Sequence, residues 1–335
     1  MNELKTNWAL LGGLRFFLAF VVLSQHIQSF MHNRFAAYVM QFDSFAAVIA
    51  FLMISGYSIH HSIATRPQGY LMRRIQRIYP TYITCLLFAV WVYFYLIQTK
   101  ADLPAGVIFP VPTGWSTLGN VLFLQPVFFE TFPTIGPAWS LGVEALFYVL
   151  ALFLVKWPRN VILFLLTASI ALYVYEYSIL RVYSYFGWLR PSLLLWAWLI
   201  GWLAYKNASG KLNKWSIYGL LLIPALLIHA NFFTSERFAV VPCALAALAI
   251  LHGDELNLSP KIAQIGNYLG ELSYPLYLIH FPILFLMSCS PRPLPSLLAY
   301  PLCIGASMLV YHFVDLPLRK RRRIKKSPLQ KTPLP

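Results

Sequence analysis

Acidic residues are scarce. Asp and Glu number 11 in 335 residues against 26 Lys and Arg, and charged residues of both signs make up only 11% of the chain. A soluble domain carries roughly a quarter charged residues, so the shortage excludes an ordinary water-soluble fold. Polar stretches are missing as well: apolar runs recur from Trp8 to Leu316 with nothing between them long enough for a soluble domain. Cysteine is confined to Cys85, Cys243, Cys289 and Cys303, all in or beside apolar runs and without metal-ligand spacing. That pattern excludes a disulfide framework and offers no metal site. No internal repeat or low-complexity tract is present. The first apolar run holds Arg15 and His26 and is followed by no small-residue cleavage site, so it reads as a first spanning helix and not as a removable signal peptide. The net charge of +15 raises nucleic acid as a partner, but much of it is juxtamembrane, closing on Arg319 to Arg323, Lys325 and Lys326. Topology and anionic lipid explain that placement more simply.

What is abundant is hydrophobic residues, at 59%. A spanning helix needs roughly 20 apolar residues, and ten segments qualify: 8–30, 43–62, 79–98, 137–155, 160–180, 188–205, 215–231, 238–252, 269–287 and 296–316. The expected fold is an all-α integral membrane protein of about ten transmembrane helices, with residues 1–318 as one membrane domain and 319–335 as a basic tail. An even number of spans places both termini on one side. The loop with Arg66, Arg73, Arg74 and Arg77 then shares that side with the tail, giving 19 Lys and Arg there against six opposite. The positive-inside rule makes the richer side cytoplasmic. The stretch 115–129 is apolar but short and flanked by Pro110, Pro112, Pro126 and Pro133. Counting it as a span would invert every later loop and spoil the charge balance, so it reads as an exoplasmic re-entrant or interfacial element.

Titratable residues in spanning helices cost several kcal/mol unless they face a cavity or a partner, which makes each a candidate. Arg15 and His26 are eleven residues apart, about three turns, and so share one helix face roughly 16 Å apart along the axis. Taken alone, Arg15 could snorkel to the interface and His26 could bond a neighbouring helix. Glu144 lies seven residues into a helix entering from the outer face, at about the depth expected for His26. The two could therefore meet, with the carboxylate orienting the imidazole as a general base, or form a structural pair. The run Arg73-Arg74-Ile-Gln-Arg77-Ile-Tyr79-Pro80 joins a loop to a helix and suits phosphate binding, although topology alone also explains it. In the ninth segment Tyr274, Tyr277 and His280 follow one another at helical spacing in a run that also holds Pro275 and Pro282, and helices with two prolines often bend around cavities. Asp315, near the cytoplasmic end, is expected to pair with an arginine.

Taken together these runs resemble the acyltransferase-3 family of membrane-bound acyltransferases. The resemblance rests on Leu14-Arg15 with ten residues before His26, on Phe51-Leu-Met-Ile-Ser55-Gly56-Tyr57 and on Arg74-Ile-Gln-Arg77-Ile-Tyr-Pro80. It continues through Trp139-Ser140-Leu141-Gly-Val-Glu144, Ser273-Tyr274 with Tyr277-Leu278-Ile279-His280, and Asp315-Leu-Pro317. It implies a ten-helix fold with cytoplasmic termini in the bacterial inner membrane. It also implies acetyl-coenzyme A as donor substrate, with no bound cofactor, and transfer to a hydroxyl of a glycan or glycolipid at the outer face. On this reading His26, Glu144 and Arg15 are catalytic, Arg73, Arg74 and Arg77 bind the donor, and Ser55, Tyr274, Tyr277 and His280 line the substrate channel. The chain departs from many members at Gly12 and Ile49, where aspartate is common, and at Asp315, where glutamate is. The expected partners are acyl-coenzyme A, the acceptor and membrane lipids, with homo-oligomers admissible. A transporter or flippase is the main rival reading, and it lacks support from internal symmetry.

Overall fold

The structure, a computed structural model, describes residues 6–103, 109–125, 127–176, 189–207, 218, 221–224, 226–227, 236–290 and 294–320. The expected seventh span, 215–231, and the tail beyond Lys320 fall mostly or wholly outside these residues. Among the described residues there is no strand. Helices α1 (Trp8–Met31), α2 (Arg34–Val39), α3 (Ser44–Thr65), α4 (Tyr70–Gln98), α5 (Gly114–Val121) and α6 (Trp139–Leu154) form the first half. Helices α7 (Arg159–Tyr175), α8 (Leu189–Asn207), α9 (Val240–His252), α10 (Pro260–Ser288) and α11 (Ala299–Val310) follow, the last running through a π turn at Tyr311–Asp315.

Six helical stretches are long and apolar enough to cross a membrane: Trp8–Met31, Ser44–Thr65, Tyr70–Gln98, Pro133–Leu154, Pro260–Ser288 and Ser296–Lys320. At 22 to 29 residues each they reach past the roughly 30 Å hydrocarbon core, so the chain is a multi-pass membrane protein. Helix α7 is 17 residues long and α9 only 13. The stretch 115–129 is not a span: an eight-residue helix capped by Thr113 gives way to turns. Both basic-flanked helices start earlier than hydropathy suggests, α4 at Tyr70 instead of 79 and α10 at Pro260 instead of 269. A hydropathy reading begins a span where charge stops. The backbone continues its hydrogen bonds through the charged turns, helped by Gly69 in the left-handed region before α4 and by Ser259 capping α10 behind a Pro at its first position.

Two close crossings organise the bundle, and both depend on glycine. On α10, Gly266 and Gly270 lie one turn apart and face α1. A Cβ at Gly270 would stand 2.5 Å from the Cα of Gly12, and one at Gly266 would stand 2.4 Å from the Ala9 carbonyl oxygen. Between α3 and α8, a Cβ at Gly201 would stand 1.8 Å from the Met53 oxygen, and one at Gly56 would stand 2.0 Å from the Trp198 oxygen. Small residues of this kind let membrane helices approach backbone to backbone, where dispersion replaces the hydrophobic drive that lipid cannot supply. Gly201→Ala is therefore expected to cost roughly 1–3 kcal/mol or more, because backbone cannot yield as a side chain can. The readout is thermal stability in detergent, and an unchanged midpoint would refute the close crossing.

The two ends of the bundle are distinct. At one end Thr6 meets the Tyr57 hydroxyl at 2.9 Å, Asn7 donates to the Leu256 carbonyl at 3.1 Å, and Arg77 pairs with Glu271 at 3.2 Å. The same Glu271 pairs with Arg319, which also holds Asp315, the arginine pairing expected for that aspartate. At the other end Asn33 donates to Ser296 at 2.9 Å and the Phe238 amide to the Gln41 carbonyl at 2.8 Å. The starts of α1, α4 and α10 and the ends of α3 and α11 thus share one basic end. The outward face of α4 is apolar, with Leu87, Trp91 and Phe94 exposed, as suits a surface against lipid.

Candidate active site

A cavity of about 130 Å³ lies among α1, α3, α4, α6 and α10, toward the basic end. Arg15 lines it from α1, Ser55 and Ser58 from α3, Arg74 and Arg77 from α4, Ser140, Glu144 and Tyr148 from α6, and Tyr274 and Tyr277 from α10. With Ser273 of α10, eleven polar side chains from five helices thus converge within an otherwise apolar bundle. On α6 the three polar residues stand at i, i+4 and i+8, one stripe on one face.

Glu144 is the centre of this cluster. Its Oε1 accepts from the Ser55 hydroxyl at 2.5 Å and from the Tyr148 hydroxyl at 2.7 Å. Arg15 donates to the Ser58 hydroxyl at 2.7 Å, and Ser58 in turn donates to the Ile54 carbonyl at 2.7 Å. Arg15 therefore does not snorkel outward. It is held inward by α3 beside the cavity. Tyr274 donates to the Ile78 carbonyl at 2.8 Å and so ties α10 to α4, while Tyr277 meets Ser140 at 2.8 Å and donates to the Pro137 carbonyl at 3.1 Å.

The three arginines of the basic run separate. Arg73 turns away from the cavity and donates to the carbonyls of Arg66 and Gln68, closing the loop before α4. Arg77 lines the cavity but carries Glu271 as a counter-ion. Arg74 lines it too, with its guanidinium carbon 5.8 Å from the centre of the Tyr70 ring. Its Nε is buried and has no hydrogen-bond partner among the described residues. Among the cavity-lining residues Glu144 is the single acid against three arginines, so the cavity is electropositive and suited to an anion.

The structure does not bring His26 and Glu144 together. No hydrogen bond or ion pair joins them, because Glu144 is committed to Ser55 and Tyr148. Instead His26 lies against His280, with ring centroids 5.3 Å apart at an interplanar angle of 25°, and the edge of Phe281 packs on it at 4.9 Å. Neither histidine lines the cavity. Tyr277 connects the two regions, since it borders the cavity and its ring centroid is 6.2 Å from that of His280. The matched depth of His26 and Glu144 on separate helices said nothing of how those helices are rotated, and rotation decides the pairing. Sequence reasoning also passed over Ser58, Ser140 and Tyr148 as site residues and missed Glu271. The stripe Ser140, Glu144, Tyr148 was readable from its four-residue spacing.

A protein of Bacillus subtilis (strain 168), described as "Putative peptidoglycan O-acetyltransferase YrhL", is 24% identical over an alignment covering 92% of this chain and 54% of its own length. The chain thus spans about half the length of that relative. No solved structure matches. The family model for the acyltransferase domain of the acyltransferase-3 family matches residues 9–312. That match takes in every cavity-lining arginine, Glu144 and both histidines, and the chain belongs to the acyltransferase-3 family.

Proposed function

We propose that the chain transfers an acyl group, acetyl being the simplest, from acyl-coenzyme A at the cytoplasmic face to a hydroxyl of an extracytoplasmic glycan or glycolipid. The observation that carries this reading is Arg74, a cation in the cavity wall with no acidic partner among the described residues. Arg74 is half-buried, and a cation in a cavity wall with no carboxylate beside it favours an anionic ligand, while a phosphate meets its fork with charge-assisted bonds. Family membership supports acyl transfer, and the name of the Bacillus relative supports a glycan acceptor and acetyl as the group moved.

Ten spans with both termini cytoplasmic in the bacterial inner membrane fit this reading. Helices α7, α8 and α9 and the apolar segment 215–231 would join the six long stretches. The basic end of the bundle then faces the cytoplasm, which the 19-to-six charge split favours. Arg74 and Arg77 hold the donor phosphates, and the acyl-bearing arm runs past Arg15 toward Tyr277. His26 receives the acceptor hydroxyl's proton. The new ester C–O bond forms as the thioester C–S bond breaks, and the proton passes on to the departing thiolate, so no redox or metal step is needed. Glu144 keeps the cavity wall in place through Ser55 and Tyr148 and offsets the charge of Arg15.

Deleting the gene is expected to remove an acyl increment from surface glycans, read by mass analysis of alkali-released fragments, and reintroducing it restores the increment. Unchanged acylation in the deletion strain, with no binding of acetyl-coenzyme A by the purified protein, would overturn the reading. A flippase would instead change the amount of surface glycan and leave its acylation per residue intact.

A further inference from the structure

The reaction proposed above, on which this inference rests, asks for a group that orients His26, and Glu144 is not bonded to it. His280 is placed to serve. It is fully buried on α10, and its Nδ1 lies 2.9 Å from the Leu276 carbonyl oxygen. A carbonyl only accepts hydrogen bonds, so Nδ1 must carry the ring proton and Nε2 is a bare lone pair. That Nε2 is buried and has no hydrogen-bond partner among the described residues. Leaving such an acceptor unsatisfied is a cost that an apolar residue of similar shape would not incur.

Next to this lone pair is the ring of His26, on a different helix. An N–H···N bond near 2.9 Å, with the distance from each nitrogen to its ring centre added, puts two bridged imidazoles roughly 5 Å apart, centre to centre. The observed separation is 5.3 Å with the rings stacked at an interplanar angle of 25°, so the spacing of the centres suits a bridge although no nitrogen of one ring is bonded to the other. A turn of the His26 ring closes the bond without moving α1 against α10, which the glycine crossing holds at fixed spacing. His26 can make it, since no hydrogen bond to another described residue holds its ring and it remains partly accessible.

We propose that His280 is the positioning residue for His26: its Nε2 accepts the N–H of one His26 nitrogen, which leaves the other nitrogen as the lone pair that meets the acceptor hydroxyl. When His26 takes up the acceptor's proton, the same bond holds the resulting imidazolium in place. The role expected of a carboxylate is filled by a neutral imidazole, which brings no second charge into the membrane interior.

The test uses inverted membrane vesicles from the deletion strain carrying each full-length variant. Labelled acetyl-coenzyme A is supplied to the exposed cytoplasmic face, and label entering the endogenous glycan is counted. His280→Phe fills the space and keeps the ring contact but removes the lone pair. It is expected to lower the rate at saturating donor roughly 10–100-fold with the donor KM unchanged. His280→Asn, which can still bond Leu276 but places no acceptor where Nε2 was, is expected to fall as far. His280→Gln, whose amide oxygen reaches the Nε2 position, is expected to recover most of the rate. A structural role for His280 predicts the reverse order, with Phe tolerated and Gln worst, and that order overturns the inference. Near-normal transfer by His280→Phe overturns it too, while leaving the proposed reaction intact. If vesicles with the unaltered protein transfer no label at all, it is the proposed reaction that fails.

Discussion

His26→Ala is expected to lower acyl transfer roughly 10²–10⁴-fold, the range a positioned general base contributes, while the protein inserts and binds acetyl-coenzyme A normally. The reason is location. His26 stands about 16 Å along α1 from Arg15, outside the donor cavity and against a second imidazole. Loss of its ring removes a proton acceptor without touching any residue that lines the donor site. Its packing partners, His280 and Phe281, belong to a helix already held by the glycine contacts of Gly266 and Gly270, so the fold should survive. His26→Gln sharpens the result, because it keeps hydrogen-bonding capacity without a titratable base. A merely structural histidine would tolerate glutamine, and near-normal transfer by that variant would remove His26 from the mechanism. Lost coenzyme A binding in either variant would move His26 into the donor channel instead.

Arg74→Ala is expected to weaken acetyl-coenzyme A binding roughly 10–150-fold, the equivalent of one hydrogen-bonded charged contact at about 1.5–3 kcal/mol. The structure ranks the three neighbouring arginines. Arg74 has no acidic partner among the described residues, Arg77 shares Glu271 with Arg319, and Arg73 is spent on the carbonyls of Arg66 and Gln68. A ligand phosphate meets Arg74 directly but competes with Glu271 for Arg77. Arg77→Ala should therefore cost less affinity than Arg74→Ala, and Arg73→Ala should leave binding unchanged while weakening the loop before α4. Equilibrium binding of labelled coenzyme A to the purified variants gives the order. Equal losses at all three positions would reduce the run to diffuse positive charge, and normal binding by Arg74→Ala would end the phosphate assignment.

By itself the sequence determined the class of protein and singled out many of the polar residues that line the cavity. Scarcity of charge left no medium but the membrane for these helices, and so made every buried Arg, Glu and His conspicuous: Arg15, Glu144, His26 and His280 are all interior to the bundle. Spacing along one helix was also legible, because each residue turns about 100° whatever surrounds it. Arg15 and His26 on α1, and Ser140, Glu144 and Tyr148 on α6, could be placed on shared faces in that way. Only the tertiary structure decided who meets whom. Glu144 faces Ser55 and not His26, His26 faces His280, and Glu271 gathers Arg77 and Arg319 from helices far apart in the chain. The physical reason is that the rotation and offset of one helix against another are set by the side chains, or their absence, at the crossing. Here Gly12, Gly266 and Gly270 for α1 and α10, and Gly56 and Gly201 for α3 and α8, draw the backbones into contact. The first crossing fixes the rotation that turns His26 to α10, while Glu144 is turned to α3 by its hydrogen bonds on α6 and α3.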